Sequence, residues 1–138
     1  MDIRLIRENP EHVRDNLMKR GNPENSKMLE GLIDCDKKWR TGLVKLNELR
    51  HERKLITAQI AALKKKGRNA KQELARAKDM DAQITDLQGK VNGWEEKVHD
   101  YLMRLPNLLH ESVPFGKDEN DNVTVRTWGE RPTLRFQV

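Results

Sequence analysis

Apolar residues recur every seven positions in two interleaved rows near the middle of the chain. One row holds Ala77, Ile84, Val91, Val98 and Leu105, and the other holds Met80, Leu87, Trp94 and Tyr101. This spacing places both rows on one face of an α-helix and is the signature of a coiled coil. The segment must therefore bury a narrow apolar seam against another helix. Pro106 predicts its end, because proline cannot continue the hydrogen-bonding ladder.

A second apolar face precedes it. From Leu29 to Leu63 the apolar residues fall three and four positions apart, which predicts another long helix that stops at Gly67. Asn69 followed by Gln72 resembles a capping box and predicts the start of the next helix. Because a short connection joins antiparallel neighbours, the two helices are expected to form a hairpin of roughly 50 Å.

The register of this hairpin can be predicted from residue numbers, since facing residues in an antiparallel pair have a nearly constant sum. Six apolar pairs sum to 133 or 134: Ile60–Leu74, Leu49–Ile84, Leu46–Leu87, Leu43–Val91, Trp39–Trp94 and Leu29–Leu105. The same register places Arg53 beside Asp81 and predicts a salt bridge. Gly42, Gly89 and Gly93 lie inside the predicted helices, and packing does not explain the latter two, which fall on the outer face.

The two ends of the chain differ from this central arm. Asn9, Pro10 and Gly21 predict the cap, first residue and end of a short helix, and a further helix opens at Asn22-Pro23 or Asn25-Ser26. After Pro106 the alternation in "NVTVRTW", residues 122–128, predicts one strand that cannot form a sheet alone. The final "LRFQV" is apolar with nothing to pack on, as expected where a longer chain is cut.

The sequence thus predicts an all-α fold: a long antiparallel two-helix coiled-coil arm with short N-terminal helices and an extended C-terminal connector. The expected segments are short helices in 1–28, the arm in 29–105 with its tip at about 64–70, and the connector in 106–138. Apolar and charged residues each make up 36% of the chain, which is typical of an elongated molecule with a narrow core.

Several classes of function are disfavoured by composition. The single cysteine, Cys35, precludes an internal disulfide, and the four histidines are too scattered to suggest a metal site. We find no catalytic constellation, no secretory signal and no apolar run of the roughly eighteen residues that a membrane span needs. The chain is therefore expected to be cytoplasmic, without catalytic or metal-binding residues and without a cofactor of its own.

Positive charge is concentrated at the hairpin tip. The whole chain carries +5, whereas residues 53–78 hold nine Lys or Arg and one acid, Glu73, which is +8. A charge focused in one place indicates a polyanionic partner. The tip has no aromatic residue on which a base could stack, so we expect RNA to be recognised by shape and phosphates. Trp39 and Trp94 share one predicted layer and are expected to belong to the core.

Three stretches resemble the N-terminal region of seryl-tRNA synthetases. They are "MDIRLIRENPEHVRDNLMKRG" at 1–21, "DKKWRTGLVKLNELRHERK" at 36–54 and, most specifically, "RLPNLLHESVPFGKDENDNVTVRTWG" at 104–129. The resemblance implies a tRNA-binding arm that grips the long variable arm of tRNA(Ser) and of tRNA(Sec). By match to the arm, RNA contact is expected from Arg50, Arg53, Lys54, Lys64, Lys65, Lys66, Arg68, Lys71, Arg76 and Lys78.

The resemblance also implies what lies outside this sequence. Full-length members of the family are class II enzymes that use ATP and Mg²⁺ to attach serine to tRNA, as homodimers through the catalytic domain. The arginine motifs of that domain are absent here, so this chain alone is expected to be a monomer that binds tRNA without catalysis. It is either a piece of a longer protein or a standalone relative. A protein-interaction coiled coil, such as a prefoldin-like chaperone subunit, and a plain structural spacer remain as alternatives.

Overall fold

A computed structural model describes residues 1–116 and 118–130, and within them the regular structure is helical with no strand. Two short helices, α1 (Ile3–Glu8) and α2 (Pro10–Met18), precede two long ones, α3 (Pro23–Lys65) and α4 (Lys71–Arg104). A 3-10 turn, Glu119–Asp121, lies in the tail. The predicted all-α class is confirmed. The proposed boundary at residue 29 falls inside α3, which begins at Pro23.

Local capping chemistry fixes the N-terminal helices. The Asn9 side chain accepts a hydrogen bond from the His12 amide, Pro10 occupies the first helical position, and Gly21 adopts a left-handed φ of 65°. Asn22 caps α3 in the same way by accepting from the Glu24 amide, which settles the two starting points that the sequence offered. The sequence interpretation did not identify α1, whose six residues are capped by Asp2.

The turn between α3 and α4 is a Schellman motif. Gly67 has φ 66°, its amide donates to the Lys64 carbonyl, and the Arg68 amide reaches back to the Leu63 carbonyl. These bonds satisfy carbonyls that the end of α3 would otherwise leave unpaired. Ala70 is the N-cap residue of α4, and the Asn69 side chain before it accepts from the Lys71 amide, so the predicted capping box of Asn69 and Gln72 is not formed. The predicted reversal at Gly67 is therefore confirmed.

Helices α3 and α4 lie antiparallel and pack along their length. Arg53 and Asp81 form the predicted salt bridge through two hydrogen bonds, Nε to Oδ1 at 2.7 Å and Nη2 to Oδ2 at 2.9 Å. A Cβ built at Gly42 would lie 2.9 Å from Val91 Cγ2, so these residues face each other. The residue numbers of these two pairs sum to 134 and 133, as the predicted register requires.

One predicted layer is wrong. Leu74 is 47% exposed, whereas Ala70 and Ala77 are buried. Counting seven back from Ala77 gives Ala70, so the repeat continues toward the tip with small side chains and places Leu74 beside the seam. A row of alanines allows close helix approach but buries little apolar area, which makes the tip the weakest part of the apolar seam.

The largest core lies at the base of the arm, where all four helices meet. Its buried side chains are Ile6, Val13, Leu17, Leu29, Leu32, Val98 and Leu105. Trp39 and Tyr101 are half-buried against this cluster. Farther along the arm Leu46, Ile56 and Val91 continue a thinner apolar seam. The base therefore anchors the hairpin, and the arm projects from it.

Two buried polar side chains hold this region together: one links helices within the base, and the other links the base to the tail. The Asp36 carboxylate is 4% exposed and is held by Arg7 (Nε–Oδ2 3.1 Å) and Arg40 (Nε–Oδ2 2.9 Å), which fixes α1 against α3. Buried Asn16 makes both possible hydrogen bonds with the Leu109 backbone, donating to its carbonyl at 2.9 Å and accepting from its amide at 2.8 Å. The start of the connector is thereby secured to α2.

The strand predicted at residues 122–128 is not formed. Val125 and Trp128 there are almost fully exposed. A strand needs a partner to satisfy its backbone groups, and no neighbouring strand exists in the part of the chain that the structure describes. The "LRFQV" segment lies outside the described residues.

Candidate nucleic-acid interface

The cationic tip is built from the end of α3, the connection and the start of α4. Lys64 and Lys65 lie in the last turn of α3, Lys66 and Arg68 in the connection, and Lys71 at the first position of α4. All five side chains are exposed, and none makes an ion pair or side-chain hydrogen bond with the residues in ranges 1–116 and 118–130. Their charges are therefore available to a ligand.

Folding does not require this arrangement. Lys64 and Lys65 suit the negative end of the α3 dipole, but Lys71 lies at the positive end of α4, where a cation is unfavourable. Glu73 supplies the one acidic side chain in the first turn of α4. Since like charges so close together repel, the concentration of lysine and arginine here indicates a role other than stabilising the fold.

Three more of the predicted RNA-contacting residues stand farther down the arm. Lys54, Arg76 and Lys78 are exposed and have no ion-pair or hydrogen-bond partner for their side chains among the described residues. They extend the positive surface along both helices on the base side of the tip.

Arg50 and Arg53 have a different setting. Arg50 Nη2 donates to Gln88 Oε1 across the hairpin at 2.6 Å, and Arg53 binds Asp81 as described. The hydrogen bonds from Arg53 lower the pKa of Asp81 from its ordinary value, and the same contact raises the pKa of Arg53. These two arginines brace α3 against α4, and RNA contact through them stays a prediction.

Other chemistries find little support in the described ranges. No group of three or more His, Cys, Asp or Glu side chains within 1–116 and 118–130 is placed to ligate a metal ion. No helix in the described part of the chain is long and apolar enough to cross a membrane. Cys35 is half-buried against the base core.

Sequence reasoning missed a groove beside Gly42. The half-buried Trp94 and Leu87 line it, with lysines around its rim. The available signal was a glycine at a seam position of α3 opposite a tryptophan, because a glycine lets a large side chain pack directly on the helix backbone.

The fold and charge distribution define a helical-hairpin arm domain, with a compact base at one end and a cationic turn at the other. A family model described as "Seryl-tRNA synthetase N-terminal domain" matches residues 1–109, and the chain belongs to this family. The predicted family and arm architecture are therefore confirmed.

Individual relatives agree with this assignment. A serine–tRNA ligase from Pyrococcus horikoshii is 45% identical over 130 residues, which is 94% of this chain and 29% of the relative. One from Methanocella arvoryzae is 39% identical over all 138 residues, which is 32% of its length. The crystal structure of seryl-tRNA synthetase from Pyrococcus horikoshii complexed with ATP superposes with a TM-score of 0.85 at 46% identity, covering 94% of this chain and 29% of that one. The chain thus spans about a third or less of these relatives and corresponds to their N-terminal domain, not to a catalytic domain.

Proposed function

We propose that this chain is the tRNA-binding arm of a serine–tRNA ligase. The observation that carries the proposal is the unpaired cluster of Lys64, Lys65, Lys66, Arg68 and Lys71 at the far end of a stiff hairpin. In a member of this family, the polyanion that suits such a cluster is tRNA.

Recognition would be by shape. Lys65 lies 36 residues beyond Leu29, which puts the tip about 50 Å from the base core at 1.5 Å per residue. Lysine and arginine contact phosphates and riboses and carry little sequence information. A long arm with such a tip suits a protruding RNA helix, and we propose the long variable arm of tRNA(Ser), and likewise of tRNA(Sec), as its target.

The chemistry of the full enzyme belongs to the rest of the protein. We propose that ATP, Mg²⁺ and serine bind in the part of the relatives that this chain does not match, and that homodimer contacts lie there as well. The described residues offer no metal-ligating cluster and no step of the reaction is assigned to them. Cytoplasmic localisation stays a prediction.

The first prediction is a preference for tRNAs with a long variable arm. In a gel-shift or filter-binding titration at fixed salt, a long-armed serine tRNA transcript should bind this chain more tightly than a short-armed tRNA. Replacing Lys64, Lys65, Lys66 and Arg68 with alanine should reduce the slope of log K against log salt by about 2.8 to 3.6, because each phosphate contact contributes about 0.7 to 0.9.

A matched control removes four exposed cations at the base instead. The variant Arg4→Ala, Lys27→Ala, Lys97→Ala and Arg104→Ala changes the net charge equally and should retain the wild-type slope. Equal affinity for the two tRNAs would refute shape selection. A slope unchanged by the tip variant would refute the contact and favour a spacer or a protein-interaction coiled coil.

A further inference from the structure

A groove of about 520 Å³ lies on one flank of the arm, between its base and its midpoint. Residues 34–45 of α3 form one wall and residues 87–94 of α4 the other. The lining residues are Asp34, Lys37, Lys38, Thr41, Gly42, Lys45, Leu87, Lys90 and Trp94. Neither the cationic tip nor the base core shares any of them.

The lack of a side chain at position 42 lets the Trp94 indole lie directly on α3 at the groove. A Cβ there would lie 2.8 Å from Trp94 Cζ3 and 2.9 Å from Val91 Cγ2, which are distances that real Cβ atoms do not adopt. The indole therefore leans over the Gly42 backbone. Trp94 is only half-buried, so part of the indole faces the groove beside Leu87. The floor is apolar and aromatic.

The rim is cationic. Four lysines line the groove against a single carboxylate, Asp34. Lys38 pairs with Asp34 at 2.6 Å and Lys90 with Asp86 at 2.7 Å, both as exposed pairs one helical turn apart. Such pairs are weak in water and can be exchanged for a phosphate. Lys37 and Lys45 have no ion-pair or hydrogen-bond partner within the described ranges.

We infer that this groove binds an unpaired nucleotide segment of RNA, with a base on the Trp94–Leu87 floor and the flanking phosphates on the lysine rim. A positive groove with an aromatic floor is the arrangement by which proteins hold single strands. Lys38 and Lys45 lie two helical turns apart on one face, about 10 Å, so they can contact successive parts of one backbone. The inference rests on RNA being the partner, as proposed above, and assigns a second contact of a different kind from the tip.

The test uses two fluorescein-labelled RNA probes, a single-stranded oligouridylate of about twelve nucleotides and a duplex of equal length, titrated by anisotropy. The double variant Lys37→Ala, Lys45→Ala should lower the salt slope for the single strand by about 1.4, or 0.7 per phosphate, and leave duplex binding unchanged. Both lysines are exposed, so the fold should be unaffected, which circular dichroism will check. Trp94→Ala should weaken binding of the single strand by about 5- to 150-fold.

Two controls match these changes. Lys27→Ala with Lys97→Ala removes the same charge outside the groove, and Trp128→Ala removes an exposed indole in the tail. The inference is overturned if neither groove variant weakens binding of the single strand, or if the variants weaken binding of the single strand and the duplex equally. Either result would leave the groove to a protein partner. The comparison of long-armed and short-armed tRNAs tests the proposed function separately. If the chain shows no preference between them while oligouridylate binding still depends on the groove, the shape proposal is rejected and the groove proposal is retained.

Discussion

At the scale of single residues, the most informative side chains are two polar ones that hold the connector against the base. Asn16 is 6% exposed and places its amide against the Leu109 backbone as a neighbouring strand would. Arg20 adds a bond from Nη2 to the Asn107 carbonyl at 2.8 Å. These contacts decide where the connector leaves the base. The sequence could not predict them, because they join residues about ninety positions apart and follow no period.

Replacing Asn16 with alanine should destabilise the base by about 1 to 3 kcal/mol, since the Leu109 amide and carbonyl lose their partners in a half-buried site. Asn16→Asp should be no better, because a carboxylate accepts from the amide but repels the carbonyl. Urea unfolding followed by circular dichroism measures the change. Asn47→Ala, an exposed position within α3, is the control and should shift stability by no more than about 0.5 kcal/mol. An Asn16→Ala variant as stable as wild type would show that the clamp is dispensable.

At the scale of elements, regular repeats were predictable and exceptions were not. The heptads of α4 and the turn at Gly67 follow from local spacing and glycine chemistry, so they were predicted correctly. Helix α1 was missed because six residues are too few to show a period. The strand at 122–128 was predicted from alternation, but a strand exists only when another backbone pairs with it. The predicted seam position of Leu74 is wrong because leucine is the more typical core residue, whereas the structure buries Ala70 and Ala77 there.

Two glycines should respond to alanine in opposite directions. Gly67 has φ 66° with open space around its Cα, so Gly67→Ala introduces backbone strain without a clash and should destabilise the hairpin by about 1 kcal/mol. Gly89 lies within α4 with nothing near a built Cβ, so Gly89→Ala should stabilise by about 0.5 to 1 kcal/mol. Thermal unfolding of both variants measures the pair. Shifts of the same sign would contradict either the left-handed turn or the exposed helical setting of Gly89.

At the scale of the whole molecule, the division between base and arm separates stability from recognition. Most large buried side chains lie in the base, whereas the five cations of the tip are exposed and unpaired within the described residues. The tip can therefore change in charge with little effect on folding. The cationic tip, which holds five of the ten candidate RNA-contacting residues, was predictable from the sequence as a run of lysine and arginine. The Arg53–Asp81 salt bridge was also predictable, from the register, whereas the Arg50–Gln88 hydrogen bond and the groove beside Gly42 depend on side-chain positions that the register alone does not give.

The shape itself gives the last prediction. A compact protein of this length has a radius of gyration of about 14 Å, whereas a rod as long as α3, about 65 Å, requires about 20 Å or more. Small-angle scattering of the wild type should give the larger value. Removing residues 54–60 and 73–79 together deletes one heptad from each helix in register, so the arm should stay folded and its maximum dimension should fall by about 10 Å. Removing residues 54–60 alone leaves one heptad of α4 without facing residues on α3 and should lower the melting temperature instead. A matched deletion that unfolds, or leaves the dimension unchanged, would show that α3 and α4 do not pair in this register.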